Sequence, residues 1–238
     1  MNRYGVITCS NISIQRDANH KSETISEVLW GEPFKIINQE QEWSYIELLY
    51  DHYKGWIPSI NIKEIEKEKA EYIDQTWIPI ATFSHHHTLE RKEEEELIHL
   101  PLGAMIESSP RKMSSIQRIV EHLLGVSYHW GGRSSFGIDC SGFTQLLFKF
   151  LRLRLPRDAK DQAKLGENIP WGEQKFGDLA FFGKDEQNIT HVGFIEDNQT
   201  IVHASGQVKR DLYNSQGITN NLKTLTHKLL FIKRIKQV

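Results

Sequence analysis

Residues 137–142 read Gly-Ile-Asp-Cys-Ser-Gly and pass directly into an apolar segment that runs to about residue 151. The apolar side chains of that segment recur at helical spacing: Phe143, Leu146, Leu147 and Phe150. The spacing predicts a helix that begins at Cys140, so the sulfur would lie at or near the helix's amino terminus. The positive end of a helix dipole stabilises a thiolate, which is what a nucleophilic cysteine needs. Cys140 is therefore the candidate nucleophile.

A thiol nucleophile needs an imidazole that takes and returns its proton, and a third polar group that orients the imidazole. His191 lies at the start of the predicted strand 191–195, and His203 lies in the next predicted strand, 200–204. A turn at 197–199 would set the two strands side by side, with both imidazoles on one face. Taken alone, a strand histidine is more often a core or surface residue, and the spacing leaves that alternative open.

The region around this motif combines helices and strands. Apolar residues at helical spacing predict a helix over 116–124, and Gly125 follows as its stop. After the helix at Cys140, strands are predicted at the following positions: 179–182, 191–195, 200–204 and 229–235. Helices followed by an antiparallel meander define an α+β domain, which we place at residues 111–238.

The first third of the chain has a different pattern, with short runs of β-branched and aromatic residues separated by turn residues. Strands are predicted at the following positions: 4–8, 27–29, 33–37, 43–48 and 55–58. We predict a small all-β barrel over residues 1–62. A charged stretch at 63–71 is interpreted as a linker or short helix, and weaker strand signals follow at 77–83 and 97–103.

Composition limits the class of protein. The 238 residues are 39% hydrophobic and 25% charged, which is typical of a chain that buries a core. No run approaches the roughly 18 apolar residues of a membrane helix, and the first 15 residues lack a signal-type apolar stretch. We therefore expect a cytoplasmic protein that does not bind membranes. If a native signal peptide had been removed, the same sequence would belong to an exported protein.

Charge is divided unevenly along the chain. Residues 1–110 carry 10 basic against 19 acidic residues, a net of −9, whereas residues 111–238 carry 19 against 12, a net of +7. This asymmetry suggests separate domains with different partners, or two complementary halves that pack together. The basic half has no arginine-rich stretch and no interleaved aromatic residues, so we do not expect nucleic-acid binding.

Several conspicuous residues receive a structural interpretation. Three adjacent histidines, 85–87, would not converge easily on one metal ion, so we expect a solvated loop and neither metal nor cofactor. Cys9 has no basic partner nearby in the sequence and is expected to be inert. Three aromatic residues are expected in the core and not on a sugar-binding surface: Trp130, Trp171 and Phe181.

Six short motifs follow one another along the second half of the chain. They lie at 128–132 (Tyr-His-Trp-Gly-Gly), 139–143 (Asp-Cys-Ser-Gly-Phe), 155–158 (Leu-Pro-Arg-Asp), 177–182 (Gly-Asp-Leu-Ala-Phe-Phe), 190–193 (Thr-His-Val-Gly) and 202–205 (Val-His-Ala-Ser). Their identity and order resemble those of the NlpC family of papain-like cell-wall peptidases, and the resemblance covers residues 113–238. Residues 31–33 (Gly-Glu-Pro) and 53–56 (Tyr-Lys-Gly-Trp) resemble a bacterial SH3-type domain, and 63–110 would hold a linker and a second, divergent copy.

The resemblance implies a papain-like catalytic domain that hydrolyses the bond between the D-glutamate side-chain carboxyl and a diamino acid in peptidoglycan stem peptides. Carried over by motif, Cys140 is the nucleophile and His191 is the general base and then acid. His203 orients His191. Tyr128 matches a tyrosine near the oxyanion site, where its hydroxyl and the Cys140 backbone N–H would stabilise the tetrahedral intermediate.

Relatives that join SH3-type domains to this catalytic domain tend to act on short peptides with a free amino-terminal L-alanine. Asp158 matches the acid that pairs with the substrate ammonium, although Ala159 replaces the serine that often follows. Tyr53 matches a tyrosine from the first SH3-type domain, and Glu23 is the candidate acid from that domain. The other candidate substrate contacts are Asp139, Ser141 and Arg157, of which Arg157 has a purely structural alternative as a neighbouring charge.

Three functions remain open on the sequence. The first is a cytoplasmic cysteine peptidase that trims murein peptides released during wall recycling. The second is an exported hydrolase whose SH3-type domains bind the wall, and the third is a non-catalytic wall-binding protein that keeps the fold. For the enzyme, we expect a thiolate–imidazolium pair, with a depressed pKa at Cys140 and a raised pKa at His191.

Overall fold

The structure is a computed structural model that describes residues 3–80, 87–91, 96–107, 115–220, 222 and 224–236. The chain forms two compact units, each described here by itself. The first unit comprises Met1–His122 and Trp130–Phe136, and the second comprises Leu123–His129 and Gly137–Val238. The domain boundaries expected at residues 62 and 110 stay predictions.

A seven-stranded antiparallel sheet forms most of the first unit. Its strands are β1 (Arg3–Ile7), β2 (Asn11–Gln15), β3 (Thr24–Leu29), β4 (Phe34–Glu40), β5 (Trp43–Leu48), β6 (Lys54–Pro58) and β7 (Ile62–Ile65), in the order β3-β2-β6-β5-β4-β1-β7. Alternate side chains of these strands pack into one apolar cluster: Ile7, Ile14, Val28, Phe34, Ile36, Ile46, Leu48 and Ile57. The five strands predicted for this region are confirmed, while β2 and β7 were missed.

The rest of the first unit holds shorter elements. These are α1 (Lys67–Thr76), β8 (Ile78–Pro79), β9 (His87–Arg91), β10 (Glu96–Leu100), β11 (Met105–Ile106), most of α2 (Ile116–Leu123) and β12 (Arg133–Ser134). Strand β8 pairs with β11, and β9 pairs with β10. The second SH3-like copy predicted for this region stays a prediction. His85 and His86 lie outside the described residues, as do residues 81–83 of one predicted strand.

A buried ion pair anchors the segment 130–136 within the first unit. The Arg133 guanidinium donates to both carboxylate oxygens of Glu32, at 2.9 and 3.1 Å, and its backbone N–H donates to Glu27 Oε2 at 2.7 Å. Burial opposes the charge on Arg133, but the carboxylates of Glu32 and Asp51 outweigh it and raise the pKa of the guanidinium. Removing either partner would leave an uncompensated buried charge.

The second unit is an α+β domain. Its elements are β13 (Gly137–Ile138), α3 (Cys140–Phe150), α4 (Ala159–Gln162), β14 (Glu167–Ile169), β15 (Leu179–Gly183), β16 (Ile189–Ile195), β17 (Thr200–Ser205), β18 (Gln207–Asn214), β19 (Gly217–Thr219) and β20 (Leu225–Arg234). The sheet order is β14-β20-β15-β16-β17-β18-β19, and an additional pairing between β19 and β20 closes six of these strands into a ring. Helix α3 packs against β16 and β17.

Every helix and strand predicted for residues 140–235 is present, with small differences at the ends. Strand β18 was not predicted because its sequence, Gln-Val-Lys-Arg-Asp-Leu-Tyr-Asn, is largely charged and polar. Only Val208 and Tyr213 are buried in β18. The strand is defined by its pairing with β17 and β19, because its sequence has no apolar periodicity.

Candidate active site

The start of α3 holds the candidate nucleophile. Asp139 is the N-cap residue, and its side chain accepts the backbone N–H of Gly142 at 2.7 Å. Such caps stabilise a helix by about 1 kcal/mol. Cys140 is the first residue of the helix and its own N–H is one of the donors that an α-helix leaves without an internal partner. The predicted position of the sulfur at the amino terminus is confirmed.

The buried side chain of Arg157 stabilises this N-cap through the Asp139 carboxylate. The Arg157 guanidinium donates to both carboxylate oxygens of Asp139 and to Ser141 Oγ, the last at 2.9 Å. The side chains of Arg157 and Asp139 are only 2% and 7% exposed. Gln162 reinforces the same turn by donating to the carbonyl oxygen of Ser141 at 3.0 Å. The pairing favours the structural alternative for Arg157, because its guanidinium is committed to the cap.

The two predicted histidines lie in contact. His191 on β16 and His203 on β17 are both buried, and their Nε2 and Nδ1 atoms are 2.7 Å apart. Asp211 on β18 follows in the same line, with Oδ2 lying 2.9 Å from His203 Nε2. Lys209 Nζ lies 3.0 Å from the same oxygen. Sequence reasoning missed Asp211, and the only available signal was an acidic residue eight positions after His203.

This chain of hydrogen bonds assigns the protons. An ionised carboxylate only accepts, so His203 carries its proton on Nε2 and presents an unprotonated Nδ1. His191 must then donate from Nε2 to that nitrogen, which leaves its own Nδ1 as the free base. The geometry therefore specifies one tautomer for each ring in the neutral state. Orientation and tautomer both follow from Asp211.

The sulfur of Cys140 lies against β16, the strand that carries His191. The backbone N–H of Val192, the next residue on β16, bonds to the thiol. Burial raises the pKa of Cys140 to about 12, and the charge of Asp139 adds to this effect, while the Val192 and Ser141 N–H groups and Arg157 only partly oppose it. The expectation of a depressed thiol pKa is therefore wrong, because desolvation exceeds the stabilisation offered by the helix terminus.

The pKa values of the two imidazoles are lowered, which also disfavours a thiolate–imidazolium pair. Burial lowers the pKa of His191 well below its usual range, and the neighbouring His203 and His227 add to the effect. Burial also lowers the pKa of His203 to about 4, against the opposing influence of Asp211. The expected raised pKa at His191 is thus also wrong. In the free enzyme the pair rests as neutral thiol and neutral imidazole.

Tyr128 lies close to the nucleophile. It forms an isolated bridge with Ile138, and its backbone N–H donates to the Gly206 carbonyl at 2.9 Å. Burial, then the charges of Cys140 and Asp139, raise the pKa of the phenol. The hydroxyl therefore stays protonated at all ordinary pH values and is available as a donor beside the sulfur.

A cavity of about 270 Å³ opens next to His191. It is lined by Tyr128, Thr190, His191, Ala204, Ser205, Gly206 and His227. His227 on β20 packs its ring against His191, with centroids 4.3 Å apart and planes inclined by 32°. Sequence reasoning also missed His227, since it lies in no motif.

Three predicted substrate residues lie in different units. Asp158 precedes α4 in the second unit, with its carboxylate 3.8 Å from Lys160 Nζ. Tyr53 and Glu23 belong to the first unit, where Tyr53 packs against the apolar cluster. Glu23 accepts the Trp130 indole N–H at 2.8 Å and pairs with Arg16 at 2.7 Å. Their contact with substrate stays a prediction.

The expectations for other conspicuous residues have mixed outcomes. Phe181 is fully buried, as expected, but Trp130 and Trp171 are 59% and 45% exposed, so their assignment to the core is wrong. Trp130 extends outward to its bond with Glu23, and Trp171 makes an edge contact with Tyr213 instead of being enclosed. Burial raises the pKa of the Cys9 thiol, which agrees with an inert cysteine.

Two findings concern the described residues as a whole. No group of three or more His, Cys, Asp or Glu side chains among them could hold a metal ion. None of the helices they form combines the length and the apolar character needed to span a bilayer.

A thiol at the capped start of a helix, packed on a sheet that carries an ordered pair of imidazoles, defines a papain-like cysteine peptidase fold. Comparison with known proteins identifies the family within this fold. Residues 125–227 match the NlpC/P60 family, and residues 15–62 match the bacterial dipeptidyl-peptidase Sh3 domain.

Two curated relatives support this assignment. The chain is 35% identical over 107 residues to the probable endopeptidase NlpC of Escherichia coli K12, covering 44% of this chain and 70% of that protein. It is 46% identical over 83 residues to the γ-D-glutamyl-L-lysine dipeptidyl-peptidase of Bacillus subtilis 168, covering 34% of this chain but only 28% of that protein.

A solved structure extends the likeness over the whole chain. The crystal structure of an NlpC/P60 family protein from Bacillus cereus has a TM-score of 0.77, covering 97% of this chain and 99% of that one. At 15% identity this likeness concerns the fold. The chain belongs to the NlpC/P60 family and carries an amino-terminal bacterial SH3-type domain.

Proposed function

We propose that the protein is a cysteine peptidase that hydrolyses the γ-D-glutamyl–diamino acid bond of murein stem peptides with a free amino-terminal L-alanine. The observation that carries the proposal is the capped Cys140 at the start of α3, which packs against β16 and β17, together with the hydrogen-bonded line from His191 through His203 to Asp211. The name of the B. subtilis relative, a γ-D-glutamyl-L-lysine dipeptidyl-peptidase, supports the choice of bond.

The first chemical step transfers the thiol proton to His191. His191 Nδ1 is the free base, so it takes the proton as the sulfur attacks the γ-carbonyl carbon and a C–S bond forms. The developing oxyanion accepts hydrogen bonds from the Tyr128 hydroxyl and the Cys140 N–H. Because both groups rest neutral, the thiolate exists only as the proton moves, and these donors stabilise charge that appears in the transition state.

The second step releases the diamino acid. The His191 imidazolium gives its proton to the leaving amine nitrogen as the C–N bond breaks, which leaves a thioester on Cys140. Water then attacks the thioester with His191 again as base, and a C–O bond forms. The C–S bond breaks, the dipeptide leaves with a new carboxylate, and His191 returns its proton to the Cys140 sulfur. In each step the positive charge on His191 is stabilised through His203 by the Asp211 carboxylate.

Asp158 is proposed to hold the substrate's amino-terminal ammonium. A charge-assisted hydrogen bond of this kind is worth about 1.5 to 3 kcal/mol, which corresponds to a preference of roughly 10- to 150-fold. Tyr53 and Glu23 of the SH3-type domain are proposed as further substrate contacts on the strength of the motif resemblance alone. A peptidase that requires a free L-alanine amine would act on released peptides, and this supports a recycling role in the cytoplasm.

The test compares free L-Ala-γ-D-Glu-L-Lys with its N-acetyl derivative, using the parent and Asp158→Asn. A preference for the free peptide of well over tenfold, mostly lost in Asp158→Asn, is the expected result. The matched control is Asp161→Asn, an acid on α4 that pairs with Lys164 and should leave the preference intact. Equal rates on both peptides would instead indicate an open groove and favour the wall hydrolase, while absence of any cleavage would favour a wall-binding protein.

A further inference from the structure

The cavity beside His191 lies on the leaving-group side of the site, on the basis of the function proposed above. The leaving amine receives its proton from His191, so the amino acid that departs lies against this ring. His191 forms part of the cavity wall, whereas the lining includes none of the described residues Asp139, Ser141 and Asp158. The cavity is therefore placed to hold the diamino acid and whatever follows it, and not the L-Ala-γ-D-Glu portion.

Hydrogen bonds fix the position of the proton on the ring of His227, which also lines this cavity. The Thr226 hydroxyl donates to the Ile218 carbonyl oxygen at 3.1 Å, so it can only accept from His227 Nδ1, which lies 3.0 Å away. Nδ1 therefore carries the proton of the neutral ring. The other nitrogen, Nε2, is an unprotonated acceptor with no hydrogen-bond partner among the described residues.

The ring of His227 is uncharged at neutral pH. Burial lowers its pKa, and the Lys209 cation adds to this effect while the Asp211 carboxylate opposes it. These two charges pair with each other at 3.0 Å, and neither of these described residues lines the cavity. Contacts with the rings of His191 and His203, at centroid distances of 4.3 and 5.5 Å, hold the imidazole in place. His227 is thus a fixed, neutral acceptor to which the mechanism gives no task.

The lining of the cavity favours an uncharged donor as the partner of this nitrogen. The described residues that form the lining include no Asp, Glu, Lys or Arg, so a charged group placed there would lose solvent without gaining a counterion. A neutral N–H group is the complement of the free Nε2. The carboxylate of a peptide that ends at the diamino acid would instead bring oxygen lone pairs against the lone pair of this nitrogen.

The substrate carries a suitable N–H only when it continues past the diamino acid. The next amide nitrogen is three bonds from the amine that His191 protonates, a separation of about 3 to 3.5 Å. The ring centroids of His191 and His227 are 4.3 Å apart, so an amide N–H at that separation from the leaving amine lies within reach of the second ring.

We propose that His227 Nε2 accepts the amide N–H that follows the diamino acid, so that the enzyme prefers stem peptides that continue beyond this residue. A stem tetrapeptide has this N–H. A tripeptide has a carboxylate in its place. His227 is thus a specificity-determining contact on the primed side of the cleaved bond.

The experiment measures kcat/KM for the tetrapeptide L-Ala-γ-D-Glu-L-Lys-D-Ala and for its depsipeptide analogue, L-Ala-γ-D-Glu-L-Lys-D-lactate. The two differ only in that an ester oxygen replaces the N–H after the diamino acid, and both keep the same bond to be cleaved. The parent should prefer the tetrapeptide by about tenfold or more, because the ester leaves the buried acceptor unpaired. The tripeptide L-Ala-γ-D-Glu-L-Lys should also be cleaved more slowly than the tetrapeptide.

Two variants test the acceptor and the control of its tautomer. His227→Phe keeps an aromatic ring against His191 but has no acceptor nitrogen, so the preference for amide over ester should fall to about twofold or less. Thr226→Val removes the hydroxyl that accepts from Nδ1, which allows the proton to move to Nε2, so the preference should fall severalfold. The matched controls are His122→Phe, at an exposed position of α2, and Thr224→Val, at an exposed position just before β20, and both should keep the full preference.

The ratio of the substrates is internal to each enzyme sample, so partial misfolding of a variant does not affect it. Equal rates of the parent on the tetrapeptide and either comparison peptide would overturn this inference while leaving the proposed function intact. A full preference retained in His227→Phe or in Thr226→Val would overturn it as well. If the parent cleaves none of the three peptides, the proposed function falls and this inference falls with it.

Discussion

Replacing Asp211 with Asn tests whether the catalytic histidine, His191, depends on a carboxylate that is linked to it through two hydrogen bonds and the ring of His203. Asp211 Oδ2 accepts from both His203 and Lys209, at 2.9 and 3.0 Å, so the amide oxygen of Asn can take the same place and keep both bonds. The tautomers of His203 and His191 would then be preserved. The substitution removes the negative charge alone.

The size of the effect follows from the distances. The two hydrogen bonds and the width of the His203 ring put the carboxylate about 8 Å from the nearer nitrogen of His191, where a unit charge at an effective dielectric constant of about 20 contributes about 2 kcal/mol. The imidazolium that forms in the transition state would lose this stabilisation. We expect kcat to fall by about 30-fold with little change in KM.

The pH profile gives an independent readout. Without the carboxylate, protonation of His191 becomes harder, so its pKa falls and the acid limb of the rate profile moves to lower pH. Lys209→Gln should move that limb the opposite way, because the Lys209 cation lowers the pKa of His191. The assay is steady-state cleavage of the free tripeptide from about pH 3 to 9, with circular dichroism at each pH as the check on folding.

A rate for Asp211→Asn within threefold of the parent, with an unmoved acid limb, would refute the reasoning. It would mean that water or another group screens the carboxylate from His191. A loss far above 100-fold would also contradict the electrostatic account. That result would indicate that the amide has turned its NH₂ group toward His203 and reversed the tautomers.

The other predictions concern the nucleophile, its base and its support. Cys140→Ala should abolish cleavage while the protein still folds, and activity within tenfold of the parent by mass spectrometry would remove Cys140 from the mechanism. His191→Ala should cost nearly as much and His203→Ala less, with equal mild losses in kcat arguing against their assigned roles. Because burial raises the Cys140 pKa to about 12, alkylation by iodoacetamide should be slow at pH 6 and accelerate as pH rises; fast alkylation at pH 6 would restore the ion-pair hypothesis. Arg157→Met removes the cation that pairs with the buried Asp139 carboxylate and should cost about 3 to 5 kcal/mol in urea unfolding, with Arg157→Met/Asp139→Asn recovering part of it and a cost below about 1 kcal/mol contradicting the argument.

Local sequence determined the parts of the site that local rules govern. A glycine-containing stretch before an apolar segment of helical spacing places Cys140 at a helix terminus, and strand periodicity places His191 and His203 on neighbouring strands. These signals lie within a few residues of the atoms they position. The structure confirms the helix and both strands with small differences at their ends.

Only the tertiary structure decided the electrostatics and the remaining members of the site. Asp211 and His227 come from strands whose pairing brings them to the imidazoles, and β18 has too little apolar character to be recognised from its own sequence. The direction in which the pKa of Cys140 is shifted also depended on tertiary packing. A helix terminus favours the thiolate through a short-range dipole, whereas enclosure by the sheet removes solvent from the whole sulfur, and this desolvation is the larger effect.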